Sequence, residues 1–381
     1  MSGQLNGLQI EKKSLPRTVA VNFWAVLMLG ACASTADLPQ ASMASCTTAS
    51  CVLATITPAQ WMAAEVNPVV VNFEKVGSDG VVSDYAFTST SWKNPKDQTL
   101  VFEAGKPYVL KFYNKFSKYN NTAGGDSEHY FTSPEFYRSI VIQKIVTPSA
   151  TYKAPLLNDF ELNAPAHNSN IDTEGAIYFV PVKTGIFTAV CKAGKHSDEA
   201  KRAGMYATVQ IAGKGLQNIN FEVPADFPTA LGDPNHPFKF IDYASNDKDT
   251  SYWKSVVFKG SSNGITASSV VLNTPGGSTS SKGSVMRFTK EGQDFGGVLL
   301  TSDFFKTMSL RKIHDKHAQI KPYFLESIEF APGPSTTNPV NASKPGTGEV
   351  DLFMAPTVKG NYQFQLLRNA SKVAIGSLQV S

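Results

Sequence analysis

Short runs in which apolar and polar residues alternate dominate the chain, and helical periodicity is almost absent. The first half carries strand-like runs at 69–73, 100–102, 108–113, 140–142, 176–182, 186–191 and 206–211. Within 108–113, Val109, Lys111 and Tyr113 alternate with Leu110 and Phe112. That period of two places successive side chains on opposite faces of a sheet. Gly105 and Pro107 fit a hairpin turn ahead of this run. Residues 77–97 read as loop and irregular edge, 115–128 as a polar loop, and 148–171 as a long loop. A short helix is expected over 197–203, where Asp198, Glu199, Lys201 and Arg202 cluster. A second unit of similar length begins at Lys214, with runs at 238–243, 253–258, 270–272 and 285–289. Many short strands separated by turn signals predict an all-β chain, each unit a sandwich or barrel of about seven or eight strands.

The two units look like copies. Pro181, Gly185 and Phe187 recur at the same intervals as Pro356, Gly360 and Tyr362. Val109-Leu110-Lys111-Phe112 matches Val285-Met286-Arg287-Phe288, and Thr132-Ser133 matches Thr301-Ser302. Lys144-Ile145 matches Lys312-Ile313, and Val209-Gln210-Ile211 matches Leu378-Gln379-Val380. Under this alignment four chemically distinctive residues of the first unit are lost in the second. Cys191 falls on Leu366, His129 on Val298, Met205 on Ala374, and His196 near Ser371.

Residues 1–33 read as an export signal rather than as part of the fold. Lys12, Lys13 and Arg17 flank an apolar run from Thr18 to Ala31. Leu29-Gly30-Ala31-Cys32 resembles a bacterial lipobox, which would lipidate Cys32 and anchor the protein to the periplasmic side of a membrane. Cleavage at Ala31-Cys32-Ala33 as an A-x-A site is the alternative, and the run is short for the ~20 residues of a membrane span. The signal accounts for two of the four net positive charges. With no Lys/Arg-rich block elsewhere, nucleic acid is not an expected partner. The expected organisation is signal 1–33, an Ala/Ser/Thr-rich tether 34–57, a metal-binding domain 58–213, and a domain without ligands 214–381.

Cysteine usage fits an exported protein. Cys46 and Cys51, close together in CTTASC, are able to form a small disulfide. Cys191 is then left over, and either metal ligation or burial as an inert thiol accounts for it. It ends one strand of the stretch IYFVPVKTGIFTAVCKAGKHSDEAKRAGMYATVQI, followed by His196 and Met205. A thiolate, imidazoles and a weak thioether together suit copper in both of its common oxidation states. His129, on an earlier strand, would complete the set.

The arrangement resembles the cupredoxins, the blue copper proteins such as plastocyanin and azurin. The residues that carry the likeness are LVFEAGKPYVLKFYN, His129 before Phe131, the strand from Gly185 to Cys191, the Cys-x4-His spacing, and Gly204-Met205 entering a last strand. The resemblance covers about residues 66–213 and, weakened, the second unit. It implies two tandem Greek-key β-sandwiches, with one type 1 copper held by His129, Cys191, His196 and Met205. Two departures from the family pattern stand out. Eight residues separate His196 from Met205, and Tyr130 follows His129 where the family often has Asn. The loop around His196 is charged through Lys192, Lys195, Asp198 and Glu199.

His314 and His317, in IHDKH, read as a surface pair on a helix, and His167 and His236 as exposed loop residues. No G-x-S-x-G, P-loop, H-E-x-x-H or dinucleotide-binding pattern is present. Clustered H-x-H motifs, which a multicopper oxidase requires, are also missing, so the chain is expected not to be an enzyme. The leading expectation is a periplasmic carrier of single electrons between redox proteins, with His196 as the solvent-side exit. A copper-sequestering or copper-delivery protein and a metal-free structural β-sandwich are the alternatives.

Overall fold

The structure is a computed structural model. It describes residues 43, 45–75, 85–93, 98–115, 129–163, 173–193, 196–199, 203–216, 219, 253–261, 264–267, 269–272, 284–292, 298–301, 303–315, 318–330, 350–356, 358–368 and 371–381. All lie within one compact unit, Leu38–Ser381. The expected signal with Cys32, the run 238–243, and His167, His236 and His317 fall outside the described residues. Among the described residues no helix is long and apolar enough to cross a membrane.

The first half contains β1 (Val69–Lys75), β2 (Tyr85–Thr88), β3 (Thr99–Glu103), β4 (Tyr108–Asn114), β5 (His129–Tyr130), β6 (Ile140–Val146) and β7 (Ala150–Lys153). It continues with β8 (Leu157–Leu162), β9 (Thr173–Pro181), β10 (Gly185–Val190), β11 (Ser197–Asp198), β12 (Ala203–Gly204) and β13 (Tyr206–Ala212). The second half contains β14 (Trp253–Ser261), β15 (Gly264–Ala267), β16 (Val270–Leu272), β17 (Ser284–Gly292), β18 (Val298–Thr301) and β19 (Met308–Asp315). It ends with β20 (Ala318–Pro322), β21 (Ser327–Phe330), β22 (Val350–Pro356), β23 (Gly360–Arg368) and β24 (Ser371–Val380).

The duplication is visible in the strand registers. Val109 lies opposite Tyr178 in β4–β9, and its counterpart Val285 lies opposite Phe353 in β17–β22. Ile140 faces Pro181 in β6–β9, with a register shift between Ile142 and Lys144. Met308 faces Pro356 in β19–β22, with the shift between Leu310 and Lys312. Gly185 faces Ile211 and Phe187 faces Val209 in β10–β13; Gly360 faces Val380 and Tyr362 faces Leu378 in β23–β24. Even the short strand β5 has its copy: His129 faces Leu162 in β5–β8, and Val298 faces Phe330 in β18–β21. The chain is thus all-β, two cupredoxin-like sandwiches in tandem.

The halves also share their sheets. β7 pairs with β21, placing Ala150 opposite Phe330 and Lys153 opposite Ser327. β8 pairs with β20, placing Leu162 opposite Ala318 and Asp159 opposite Lys321. In the repeat, β20 is the copy of β7 and β21 the copy of β8, so each half lends the same strand pair to the other. One sheet of each half therefore runs on into the other half, giving an eleven-stranded and an eight-stranded sheet. A single cluster of buried apolar side chains extends through both halves, from Val71 to Val380.

Of the segment 34–57 expected as a tether, residues 43 and 45–57 are described, and they pack on the sheet instead of running free. Helix Ala49–Ala54 forms there and helix Pro58–Val66 follows it, capped by Thr48 and Thr57. Cys46 and Cys51 are joined by a disulfide. Met43, Cys46, Val52, Ile56 and Trp61 pack on Val109, Val141, Tyr178 and Val180, the outer faces of β4, β6 and β9. These strands are thereby covered on both sides, which is why β9 is buried at every position but Glu174. The apolar anchors are sparse among Ala, Ser and Thr, so composition alone reads as linker.

Candidate metal centre

The ligand-type residues meet where two strand ends are tied together. Thr132 and Val190 exchange backbone hydrogen bonds, N–H to O at 3.0 and 3.1 Å. This bridge joins the segment after β5 to the end of β10, and so sets His129 beside Cys191. The segment is fixed further by Phe131 N–H to Phe160 O at 2.9 Å and Tyr137 OH to Phe131 O at 2.7 Å. Ser133 Oγ donates to Thr188 O at 2.7 Å.

The long interval between His196 and Met205 is taken up by a hairpin. Ser197 pairs with Gly204 and Asp198 with Ala203, so β11 and β12 replace the helix expected over 197–203. Gly204 sits at φ +75°, in the left-handed region that glycine enters without a Cβ penalty. The hairpin returns the chain so that Met205 N–H donates to His196 O at 2.7 Å, while Cys191 N–H donates to Met205 O at 3.1 Å. Met205 is fully buried and bonded through its backbone to both other loop residues.

His129, Cys191 and His196 offer one ligand atom each, all within 4.8 Å of one another. The Nδ1 atoms of His129 and His196 lie 3.8 and 3.7 Å from Cys191 Sγ. Among the described residues this is the cluster of three or more His, Cys, Asp or Glu with such spacing. Tyr130 N–H points at the sulfur, at 3.4 Å. The amide belongs to the backbone, so Tyr serves there as well as the Asn of the family pattern. In the second half Leu366 lies opposite Ala374, the same register positions as Cys191 and Met205.

All three residues are buried, at 0, 1 and 2% exposure for His129, Cys191 and His196. Burial, reinforced by the facing His196, pushes the His129 imidazole down to about 3, so its ring is neutral at physiological pH and a lone pair is available. Burial pushes the Cys191 thiol up to about 11, against the opposing hydrogen bonds from Tyr130 and Ala193. A thiolate there needs a cation beside it. The donor set fits a soft or borderline transition metal: two imidazoles, one sulfur and no carboxylate. Metal–nitrogen and metal–sulfur bonds of about 2.0 and 2.3 Å at near-trigonal angles would separate N from S by about 3.7 Å.

The imidazole of His196 is not at the surface. Tyr85, at the start of β2, stacks on it with ring centroids 4.1 Å apart and planes inclined by 22°. Tyr85 also approaches His129 at 6.3 Å, and the buried Phe73 meets His129 edge-on at 6.1 Å. Tyr85 is half-buried. Sequence reasoning missed it because it lies in a stretch read as loop, where a two-residue apolar pattern carries no signal. His314 is on β19, not on a helix, and its Nε2 lies 3.3 Å from Asn163 Nδ2.

No protein-family profile and no curated protein matches the sequence. Solved structures do. A multicopper oxidase shares 9% identity, with 82% of this chain and 88% of that one covered at a TM-score of 0.22. The multicopper oxidase of Campylobacter jejuni, a metallo-oxidase, shares 10%, covering 74% of this chain and 55% of that one at 0.24. The copper-containing nitrite reductase of Thermus scotoductus shares 13%, covering 82% and 61% at 0.21. These neighbours are enzymes, which overturns the expectation that a chain of this architecture lacking H-x-H motifs is not one. Scores this low transfer none of their activities to this chain. The fold is a duplicated β-sandwich of cupredoxin-like type, and its first half brings His129, Cys191 and His196 together as a cluster able to hold a metal ion.

Proposed function

We propose that the chain is a type 1 copper protein that carries single electrons, with His129, Cys191 and His196 as ligands and Met205 as the weak axial ligand. One observation supports this above the others: both Nδ1 atoms face Cys191 Sγ, and the Tyr130 amide hydrogen-bonds that sulfur. Copper bound there would supply a one-electron couple between Cu(II) and Cu(I). The protein's own part is to hold the donors still. The Thr132–Val190 bridge and the β11–β12 hairpin fix the strand ends, and burial keeps water from the sulfur. A site that moves little between oxidation states exchanges electrons quickly. Because His196 lies beneath Tyr85, the path to the surface runs through that ring rather than through an exposed imidazole.

The partners are redox proteins, a donor and an acceptor, met on the periplasmic side of a membrane to which lipid on Cys32 tethers the chain. The first half holds the copper and the second serves as scaffold. The closed cover over His196 also suits retention of the ion, so copper sequestration is the competing reading. Protein-film voltammetry on the copper-loaded chain separates them. Electron transfer requires a reversible one-electron wave and rapid self-exchange between oxidised and reduced protein. Stoichiometric copper without a reversible wave would replace the carrier reading with sequestration.

A further inference from the structure

The strand that carries His129 and Tyr130 is only two residues long and rests on β8. β8 in turn is paired with β20 of the second half. At this junction Lys321, from β20, places its Nζ 3.3 Å from Asp159 Oδ2 on β8. The same ammonium sits 5.2 Å from the centroid of the Tyr130 ring, within cation–π range. The other oxygen of Asp159 accepts from Thr132 Oγ1 at 2.7 Å and from Phe160 N–H at 3.0 Å. Asp159 therefore grips the ligand segment at Thr132, while Lys321 holds both Asp159 and Tyr130. Tyr130 is the residue whose amide points at Cys191 Sγ. Beside this pair, Gln319 donates to the buried Glu161, which faces Tyr130 across the ladder. The charges of Asp159 and Glu161 are both felt at the sulfur.

The repeat supplies an internal control. The symmetry-related contact sets Lys153 opposite Ser327, and Leu299 takes the place of Tyr130 opposite Glu329. Lysine and the flanking acid persist there, whereas the carboxylate and the aromatic ring are gone, along with the metal-type ligands. The carboxylate–lysine–tyrosine set thus accompanies the cluster rather than the interface.

We propose that Lys321 is a positioning residue through which the second half sets the Tyr130 amide against the Cys191 sulfur and balances the negative charge of Asp159. This rests on the copper reading for its redox consequence but not for its geometry. With Lys321 present, the segment from His129 to Thr132 is held against β8 and the sulfur stays shielded. Without it, Asp159 is left as a largely buried, uncompensated carboxylate, Tyr130 loses its cationic seat, and oxidised copper is favoured over reduced.

The test uses the full chain in a Cys32→Ser background, so that Cys191 is the free thiol beside the Cys46–Cys51 disulfide. The metal-free protein is treated with an aromatic disulfide reagent under native conditions. Lys321→Met should raise the rate of thiol modification several-fold, Lys321→Arg should restore it, and Lys153→Met should leave it unchanged. The Asp159→Asn/Lys321→Met pair removes both charges and should give the same rise if the single variant does not fold. In the Cu(II)-loaded protein, Lys321→Met should shift the thiolate charge-transfer band and lower the reduction potential. Wild-type thiol rates in Lys321→Met and the paired variant, or an equal response in Lys153→Met, would overturn the proposal. A thiol response in a protein that binds no copper would keep the positioning role and sink the copper reading instead.

Discussion

The chemistry of the site is decided by a few atoms around one sulfur. Cys191 Sγ has two imidazole nitrogens at 3.7 and 3.8 Å and a backbone amide at 3.4 Å, in a pocket closed to water. Tyr85 closes it on the His196 side. Tyr85→Ala should cost roughly 1 kcal/mol for the lost aromatic contact. It should also speed removal of bound copper by a chelator several-fold, followed by loss of colour; an unchanged stripping rate would mean that the ring is not the cover. The grouping of Cys191 with His196 was legible in the sequence because the two share one short stretch. His129 was legible only through the resemblance and the contrast with Val298 in the repeat. Tyr85 was not, because stacking between residues far apart in the sequence leaves no mark on local pattern.

Elements position these residues, and the smallest ones matter most. β5, β11 and β12 are two residues long, defined by their partners rather than by propensity, and alternation cannot reveal them. Longer strands such as β4, β9, β13 and β14 lie nearly where alternation places them, whereas β7 and β8 fall in the stretch 148–171 read as loop. β8, which supports β5, is packed tightly beneath β9: a Cβ on Gly175 would come within 2.7 Å of Phe160 Cζ and 3.1 Å of Leu162 Cδ2. Gly175→Ala should therefore destabilise the fold by about 1–3 kcal/mol. It should also weaken copper binding, since the displaced side chains lie in the strand that carries β5. Urea midpoints and a copper titration check the two effects. On the opposite face the disulfide closes a short loop that seats the N-terminal helices. Replacing Cys46 and Cys51 by Ser should lower stability by about 2 kcal/mol from loop entropy, with the visible spectrum after copper loading unchanged.

At the scale of the whole molecule, the halves are one folding unit rather than two beads. β7 and β8 would become sheet edges if the second half were absent, exposing unpaired backbone groups. Urea unfolding should then show a single transition, coincident by circular dichroism and tryptophan fluorescence. Two resolved transitions would show that the shared strands add little coupling. The duplication itself was legible from recurring Pro, Gly and aromatic intervals. The exchange of strands was not, because pairing between residues more than 150 positions apart follows from the packing of two complete sheets and not from any local pattern. Whether one half of this duplicated scaffold holds copper through Cys191 is tested by Cu(II) titration of the Cys32→Ser chain beside the same chain carrying Cys191→Ser, followed by visible absorption. An intense thiolate-to-copper band saturating at one equivalent is expected, absent in Cys191→Ser while the far-ultraviolet circular dichroism stays the same. A parent chain that gains no such band, or an equal band in Cys191→Ser, would contradict the copper reading.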